Sequence, residues 1–133
     1  MELKLESRIG KVSRDAGQIY EFLSDFNHLS AFVPPDKVQD WQVTADTCSF
    51  SMHAVGKIAF RVLNREPQHT IKMAVETMYA KDVLLWVQLK PAQPYETRVK
   101  LTLKAEMNPM MKLFVSKPLQ QFLDKIIDTL EAM

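Results

Sequence analysis

One cysteine, three histidines and a charge balance near zero leave this chain with little conspicuous chemistry. Cys48 has no second cysteine to pair with, so an intrachain disulfide is excluded, which suits a reducing cytoplasm. His28, His53 and His69 do not stand at metal-ligand spacing from one another or from Cys48, so neither a metal nor a cofactor is expected. Seventeen basic residues against sixteen acidic ones supply no global attraction to nucleic acid or to anionic lipid. Lys11, Arg14, Arg61, Arg65, Arg98, Lys100 and Lys104 are spread along the chain with acids between them and read as solvated faces. The first six residues alternate polar and apolar side chains, without the apolar run of a signal peptide. The apolar C-terminal segment carries Lys112, Lys117, Asp124, Lys125 and Asp128, which excludes a simple membrane span. No repeat, low-complexity tract or nucleotide-binding motif is present.

What remains is a good deal of apolar patterning. The 133 residues, 47% of them hydrophobic, suit one domain over 1–133 that buries a core without disulfides or metal. Over 2–9, Leu3, Leu5, Ser7 and Ile9 alternate with Glu2, Lys4, Glu6 and Arg8, the period of a strand with one wet face. Gly10 marks a bulge or bend. Ser13 is then placed to cap a helix, with Asp15 in its first turn. Ile19, Phe22, Leu23 and Phe26 follow as a helical stripe. Residues 28–32 form a brief second helix, which Pro34-Pro35 stops.

From residue 36 the pattern changes to strands, expected at 37–44, 47–55, 57–66, 70–79, 83–90 and 96–106. Turn signals every ~8–12 residues imply successive antiparallel hairpins. Cys48, Phe50 and Met52 share a face, as do Ile58, Phe60 and Val62, and Val99, Leu101, Leu103 and Ala105. Strand 83–90 is apolar on both faces, which predicts that it is covered on both sides or touches a partner. Asn108-Pro109 opens a last helix carrying Met111, Phe114, Val115, Pro118, Leu119, Phe122, Ile126, Leu130 and Met133, widened by Leu123 and Ile127. At ~1.5 Å per residue it would run about 36 Å, enough to cross a sheet, with a kink expected near Pro118. The fold class is α+β: a β-α-α-β6-α chain whose curved antiparallel sheet of about seven strands wraps the long helix.

That order, with Ile19-Tyr20-Glu21-Phe22-Leu23-Ser24-Asp25 on the first helix, Val33-Pro34 after the second and Pro118-Leu119-Gln120-Gln121-Phe122-Leu123 on the last, resembles the START-like, or helix-grip, superfamily. Its members include polyketide cyclases, lipid-transfer domains, birch-pollen-allergen-like proteins and coenzyme-Q-binding relatives. The resemblance spans nearly the whole chain. It implies a cavity between sheet and C-terminal helix that holds an apolar or amphipathic ligand.

Three functions compete. The first is binding, with transport as its extension, of a small hydrophobic ligand in a cavity lined by Met52, Phe60, Met73 and Val87 on the sheet and Met111, Phe114, Phe122 and Ile126 on the helix. The second is a cyclase or dehydratase using a cavity acid, Glu76 or Asp25. The third is an interaction module with a filled core that binds a protein or a second copy through the sheet face near Trp86. The first is favoured, and no catalytic residue is assigned. Cys48 reads as a small apolar group. His28 is the best placed histidine, near the expected cavity mouth; His53 and His69 read as outward-facing and turn residues. Trp41, Trp86 and Tyr79 suit either a rim or the core.

Overall fold

The computed structural model describes residues 2–31, 38–52, 56–78 and 80–132. Within them the elements run β1 (Glu2–Glu6), β2 (Gly10–Val12), α1 (Ala16–Leu23), a 3-10 helix (Phe26–Ala31), β3 (Val38–Val43), β4 (Thr47–Met52), β5 (Gly56–Glu66), β6 (Thr70–Thr77), β7 (Ala80–Gln93), β8 (Glu96–Glu106) and α2 (Pro109–Glu131). The strands form one antiparallel sheet ordered β1-β8-β7-β6-β5-β4-β3, with β2 also on β8. Strands β3 to β8 are therefore a meander, and the chain's first strands close its far edge. The helix-grip expectation holds: the sheet carries its apolar face on the side of the two helices.

The strand expected over 2–9 stops at Glu6, and a separate strand begins at Gly10, where a bulge or bend was expected, which raises the strand count to eight. Pairing with β8 stops at Glu6↔Thr102 and resumes at Gly10↔Val99. In the gap the Ser7 N–H donates to the Leu101 carbonyl at 2.9 Å, and the Leu101 N–H donates to Ser7 Oγ at 2.9 Å. A hydroxyl thus replaces a backbone acceptor, so the ladder is interrupted without an orphaned group. Ser7 is buried, as its alternation with Leu3 and Leu5 requires, but Ile9 is exposed because the strand has already ended.

The start of α1 also differs. Asp15, not Ser13, is the N-cap, accepting from the Gln18 N–H at 3.1 Å. Residues 13 and 14 belong to the exit from β2, where Val12 pairs with Thr97 and the Thr97 hydroxyl donates to the Arg14 carbonyl at 2.8 Å. That tie fixes the bend at Ser13 and Arg14, so the helix starts only after Asp15. The brief second helix begins at Phe26 rather than residue 28; Phe26 is fully buried and stands beside α1. The Pro34-Pro35 stop lies outside the described residues.

Strand β7 is longer than its turn signals suggested and runs through Pro91. The Leu89 N–H points to the β6 side, donating to the His69 carbonyl at 2.6 Å. Pro91, two residues on, faces the same way, past the last β6 pair at Thr70↔Gln88. No neighbour there requires the N–H that proline lacks. Only one face of β7 is covered. Val83, Leu85, Val87 and Leu89 are buried, whereas Leu84 and Trp86 are half-exposed on the outer face. Instead of a covering element, the Lys72 and Lys104 ammonium groups stand 5.6 and 5.8 Å from the Trp86 ring centroid.

The core joins the inner residues of β6 to β8, Leu3, Val12, Ile19 and Phe26 to Leu123, Ile127 and Leu130 of α2. The helix rests chiefly on β1, β2 and β8. Polar ties fix its C-terminal half there. The Arg8 N–H donates to Asp124 at 2.8 Å and the Lys11 N–H to Glu131 at 2.8 Å. The Arg8 guanidinium bridges Asp128 and Glu131, the latter at 2.6 Å. Gln120 Nε2 donates to the Glu6 carbonyl at 2.7 Å. Three helix carboxylates thereby serve the segment between β1 and β2, where regular pairing is absent. Gly10 marks the closest approach: a Cβ there would lie 2.4 Å from Ile127 Cγ2.

Candidate functional site

The inner face of the sheet is not evenly covered. On β7 and β8 its apolar side chains are all buried, from Val83 to Leu89 and from Val99 to Ala105. Across β3 to β6 the pattern changes. Cys48, Phe50, Ile71 and Met73 are buried, but Trp41, Val43, Ile58, Phe60, Val62 and Val75 are only half-buried. Helix α2 shows the matching gradient. Leu123, Ile127 and Leu130 are sealed, while Met111, Val115, Leu119 and Ile126 are half-buried. The inner face is sealed where α2 meets β1, β2 and β8, and its apolar side chains keep partial exposure along β3–β6. Half-buried apolar surface on a concave face, with an aromatic wall, suits a small apolar guest.

The aromatic wall follows from strand register. The row Val43–Cys48–Phe60–Val75 crosses β3 to β6, and Phe50 pairs with Ile58 one inner position along. Trp41 stacks on Phe50 at 5.6 Å, Phe50 stacks on Phe60 at 6.0 Å, and Phe60 meets the edge of Phe26 at 6.4 Å. Offset and edge-on rings at these distances attract, so the wall is held in place before any ligand arrives. Its end is tied by Arg65, whose guanidinium donates to the Ser24 carbonyl at 2.6 Å and pairs with Asp46 at 2.7 Å. That links the end of α1 to the β3–β4 hairpin. Sequence reading classed Arg65 as a solvated cation; its partners are remote in sequence and leave no local signal.

The expected lining residues divide. Phe60 lies in the aromatic wall, and Met111 and Ile126 are half-buried on α2. Met73 and Val87 are core residues, already packed among neighbours. Phe122 is 50% exposed on the flank of the helix. Phe114 is 72% exposed and lies on the side of α2 turned away from Leu123 and Ile127, so it does not line the cleft. Met52 ends β4, and its side chain lies outside the described residues. Trp41, for which a rim position was one expectation, joins the inner surface together with Val43, Val62 and Val75, which no expectation named as cavity residues. Their alternation was visible; which strands the helix would leave uncovered was not.

A concavity of about 320 Å³ crosses β3 to β6. Gln42, Ser49, Ala59 and Glu76 form its central row, with Thr47 and Arg61 in the next. These positions alternate with Val43, Cys48 and Phe60, so the groove is on the outer face, formed where small Ser49 and Ala59 sit among longer side chains. Glu76 is therefore exposed on the outer face rather than placed inside the grip. Asp25 accepts from the Asn27 N–H and from Asn27 Nδ2, each at 2.9 Å. Those bonds lower its pKa, so it serves the turn as a carboxylate and is a poor proton donor.

The remaining candidates take structural positions. Cys48 is buried in the inner row, and desolvation pushes its thiol up to about 11, opposite to what a nucleophile needs. His28 stacks on Phe22 at 4.8 Å, with Nδ1 2.8 Å from the Phe22 carbonyl. His69 lies exposed in the β5–β6 turn, and His53 and Tyr79 lie outside the described residues. Among the described residues no group of three or more His, Cys, Asp and Glu gathers to hold a metal. No helix of the described residues is long and apolar enough to cross a membrane.

Residues 5–132 match the family model described as polyketide cyclase / dehydrase and lipid transport. No curated protein matches the chain. Solved structures share the fold at low identity. Norcoclaurine synthase from Thalictrum flavum, in complex with dopamine and hydroxybenzaldehyde, superposes with a TM-score of 0.78 at 12% identity, over 99% of this chain and 86% of the synthase. An uncharacterized protein from Bacillus thuringiensis gives 0.75 at 9% identity, over 99% and 97%. A START superfamily protein from Mycobacterium smegmatis gives 0.69 at 14% identity, over 97% and 94%.

Proposed function

Because the chain belongs to the polyketide cyclase/dehydrase and lipid transport family, we propose that it binds a small hydrophobic or amphipathic molecule between β3–β6 and the first half of α2. The observation that carries this reading is the burial gradient: inner apolar side chains are sealed on β7 and β8 and half-exposed on Trp41, Val43, Ile58, Phe60, Val62 and Val75. Covering that surface with an apolar guest gains roughly 25 cal/mol for each Å² removed from water. The aromatic wall favours a ligand with a flat or unsaturated portion. The dopamine and hydroxybenzaldehyde held by norcoclaurine synthase are compact aromatics of that kind. The lipid transport in the family's description extends the reading from binding to carriage.

Two measurements test it. Denaturing the purified protein and analysing the released small molecules by mass spectrometry is expected to yield an apolar compound. Titration with 1-anilinonaphthalene-8-sulfonate is expected to saturate at one site. Val75→Trp, which grows into the open part of the inner face, is expected to weaken that site at least tenfold with circular dichroism unchanged. Probe binding indifferent to Val75→Trp would place the site elsewhere, and absence of probe binding would remove the cleft.

A further inference from the structure

The first half of α2 presents its apolar side chains outward as well as inward. Met110 is 69% exposed, Leu113 84% and Phe114 72%. With Lys117 they occupy the side of this half turned away from half-buried Met111, Val115 and Leu119, on the helical period. Nothing in the core uses them. Charge is segregated along the same helix. From Pro109 to Leu123 the only charged residues are Lys112 and Lys117; the acids Asp124, Asp128 and Glu131 all follow, with a single lysine, Lys125, among them. Two of those, Asp128 and Glu131, pair with Arg8, and Asp124 accepts its N–H. The outer helix surface thus runs from apolar and basic at its start to acidic and occupied at its end. The helix N-terminus adds the positive end of its dipole to the same half. Exposed Met78, at 77%, lies in the β6–β7 turn, at the end of the sheet where β8 passes into α2.

We propose that this half of α2 is a peripheral docking surface for an anionic lipid bilayer. Met110, Leu113 and Phe114 enter the boundary between headgroups and acyl chains, while Lys117 on the same side meets the phosphates. The charge pattern selects this occupant. A second copy would bring lysines against lysines, whereas phosphates complement them. The acidic second half confines contact to the helix start, so the molecule docks obliquely and not along the whole helix. The chain's near-zero net charge hides this, because the attraction comes from segregation and not from excess. The proposal goes beyond ligand binding and stands whether or not the inner cleft holds a guest.

The test is co-sedimentation of the full chain with phosphatidylcholine vesicles, with and without about 30% phosphatidylserine, at low and high salt. Binding is expected to the serine-containing vesicles and to fall with salt. Phe114→Ser changes an exposed side chain and is expected to lower partitioning about tenfold or more. Lys117→Gln is expected to lower it about fivefold, on the serine-containing vesicles only. Val75→Trp, which fills the inner cleft, is expected to leave vesicle binding intact, separating a failure here from a failure of the ligand reading. The proposal is overturned by absence of sedimentation with either vesicle, or by sedimentation that Phe114→Ser leaves unchanged. It is also overturned if Phe114→Ser instead abolishes a concentration-dependent dimer in analytical ultracentrifugation of a protein that ignores vesicles.

Discussion

Replacing Gly10 by alanine places a methyl group where the structure has no room. The added carbon would stand 2.4 Å from Ile127 Cγ2 and 3.7 Å from Glu131 Cγ. Carbon atoms rest at about 3.5–4.0 Å, so Ile127 or the helix must yield by roughly an ångström. Ile127 is fully buried, and Gly10 is paired with Val99, also fully buried, so neither side is free to move. Overpacking of this kind costs about 1–3 kcal/mol. Gly10 does not need a left-handed backbone, so alanine would otherwise gain about 0.4–1 kcal/mol by restricting the unfolded chain. A net loss must therefore come from the contact. Urea denaturation monitored by circular dichroism is the assay. Ile127→Leu removes the branch methyl that the alanine would strike and costs less than about 1.5 kcal/mol by itself. Gly10→Ala is expected to be nearly neutral in that background, a coupling of about 1 kcal/mol or more. Strict additivity of the two changes would refute the reasoning, because the cost would then have nothing to do with Ile127.

Three further outcomes are expected. Ser7→Ala removes the oxygen that satisfies the Leu101 N–H and should cost about 1–3 kcal/mol in the same assay; Ser7→Gly and Ser7→Ala behaving alike, with no loss, would show that water takes over the bond. Glu131 is held below the ordinary 4.5 of a glutamate by hydrogen bonds from Arg8 and from the Lys11 N–H. A carboxylate with a depressed folded pKa stabilises the fold above its unfolded pKa and loses that contribution as pH falls through the folded value. Thermal melts should therefore show an acid-side decline beginning below about pH 4.5 that Glu131→Gln makes shallower, and an unchanged profile would remove Glu131 from the tie. Cys48, buried and with its pKa near 11, should react with a disulfide reagent at pH 8 far more slowly in the native protein than in urea. A native rate equal to that of a free thiol would contradict its place in the inner row.

Much of the fold was legible because it rests on local periods. The alternation of Val99, Leu101, Leu103 and Ala105 named the buried face of β8, and the cap at Asn108 with Pro109 marked the start of α2. Both signals are complete within a few residues of chain. The candidate site was less legible. Helix α2 has apolar residues on more than one side, so its periodicity did not distinguish Leu123 and Ile127, which meet the sheet, from Phe114, which meets solvent. Met73 and Val87 pointed inward as expected, yet inward positions become core or cleft only according to what lies opposite.

The strand-and-helix order and the inner and outer faces of β4, β5 and β8 were determined by the sequence alone, since side-chain alternation and helical spacing are properties of neighbouring residues. Tertiary structure alone decided the break between β1 and β2, the tie of Arg8 to Asp124, Asp128 and Glu131, and the choice of which strands α2 covers. These depend on contacts between residues far apart in the chain, 94 positions for Ser7 and Leu101 and 116 for Arg8 and Asp124. No local pattern states such a contact, because its partner is chosen by packing in space.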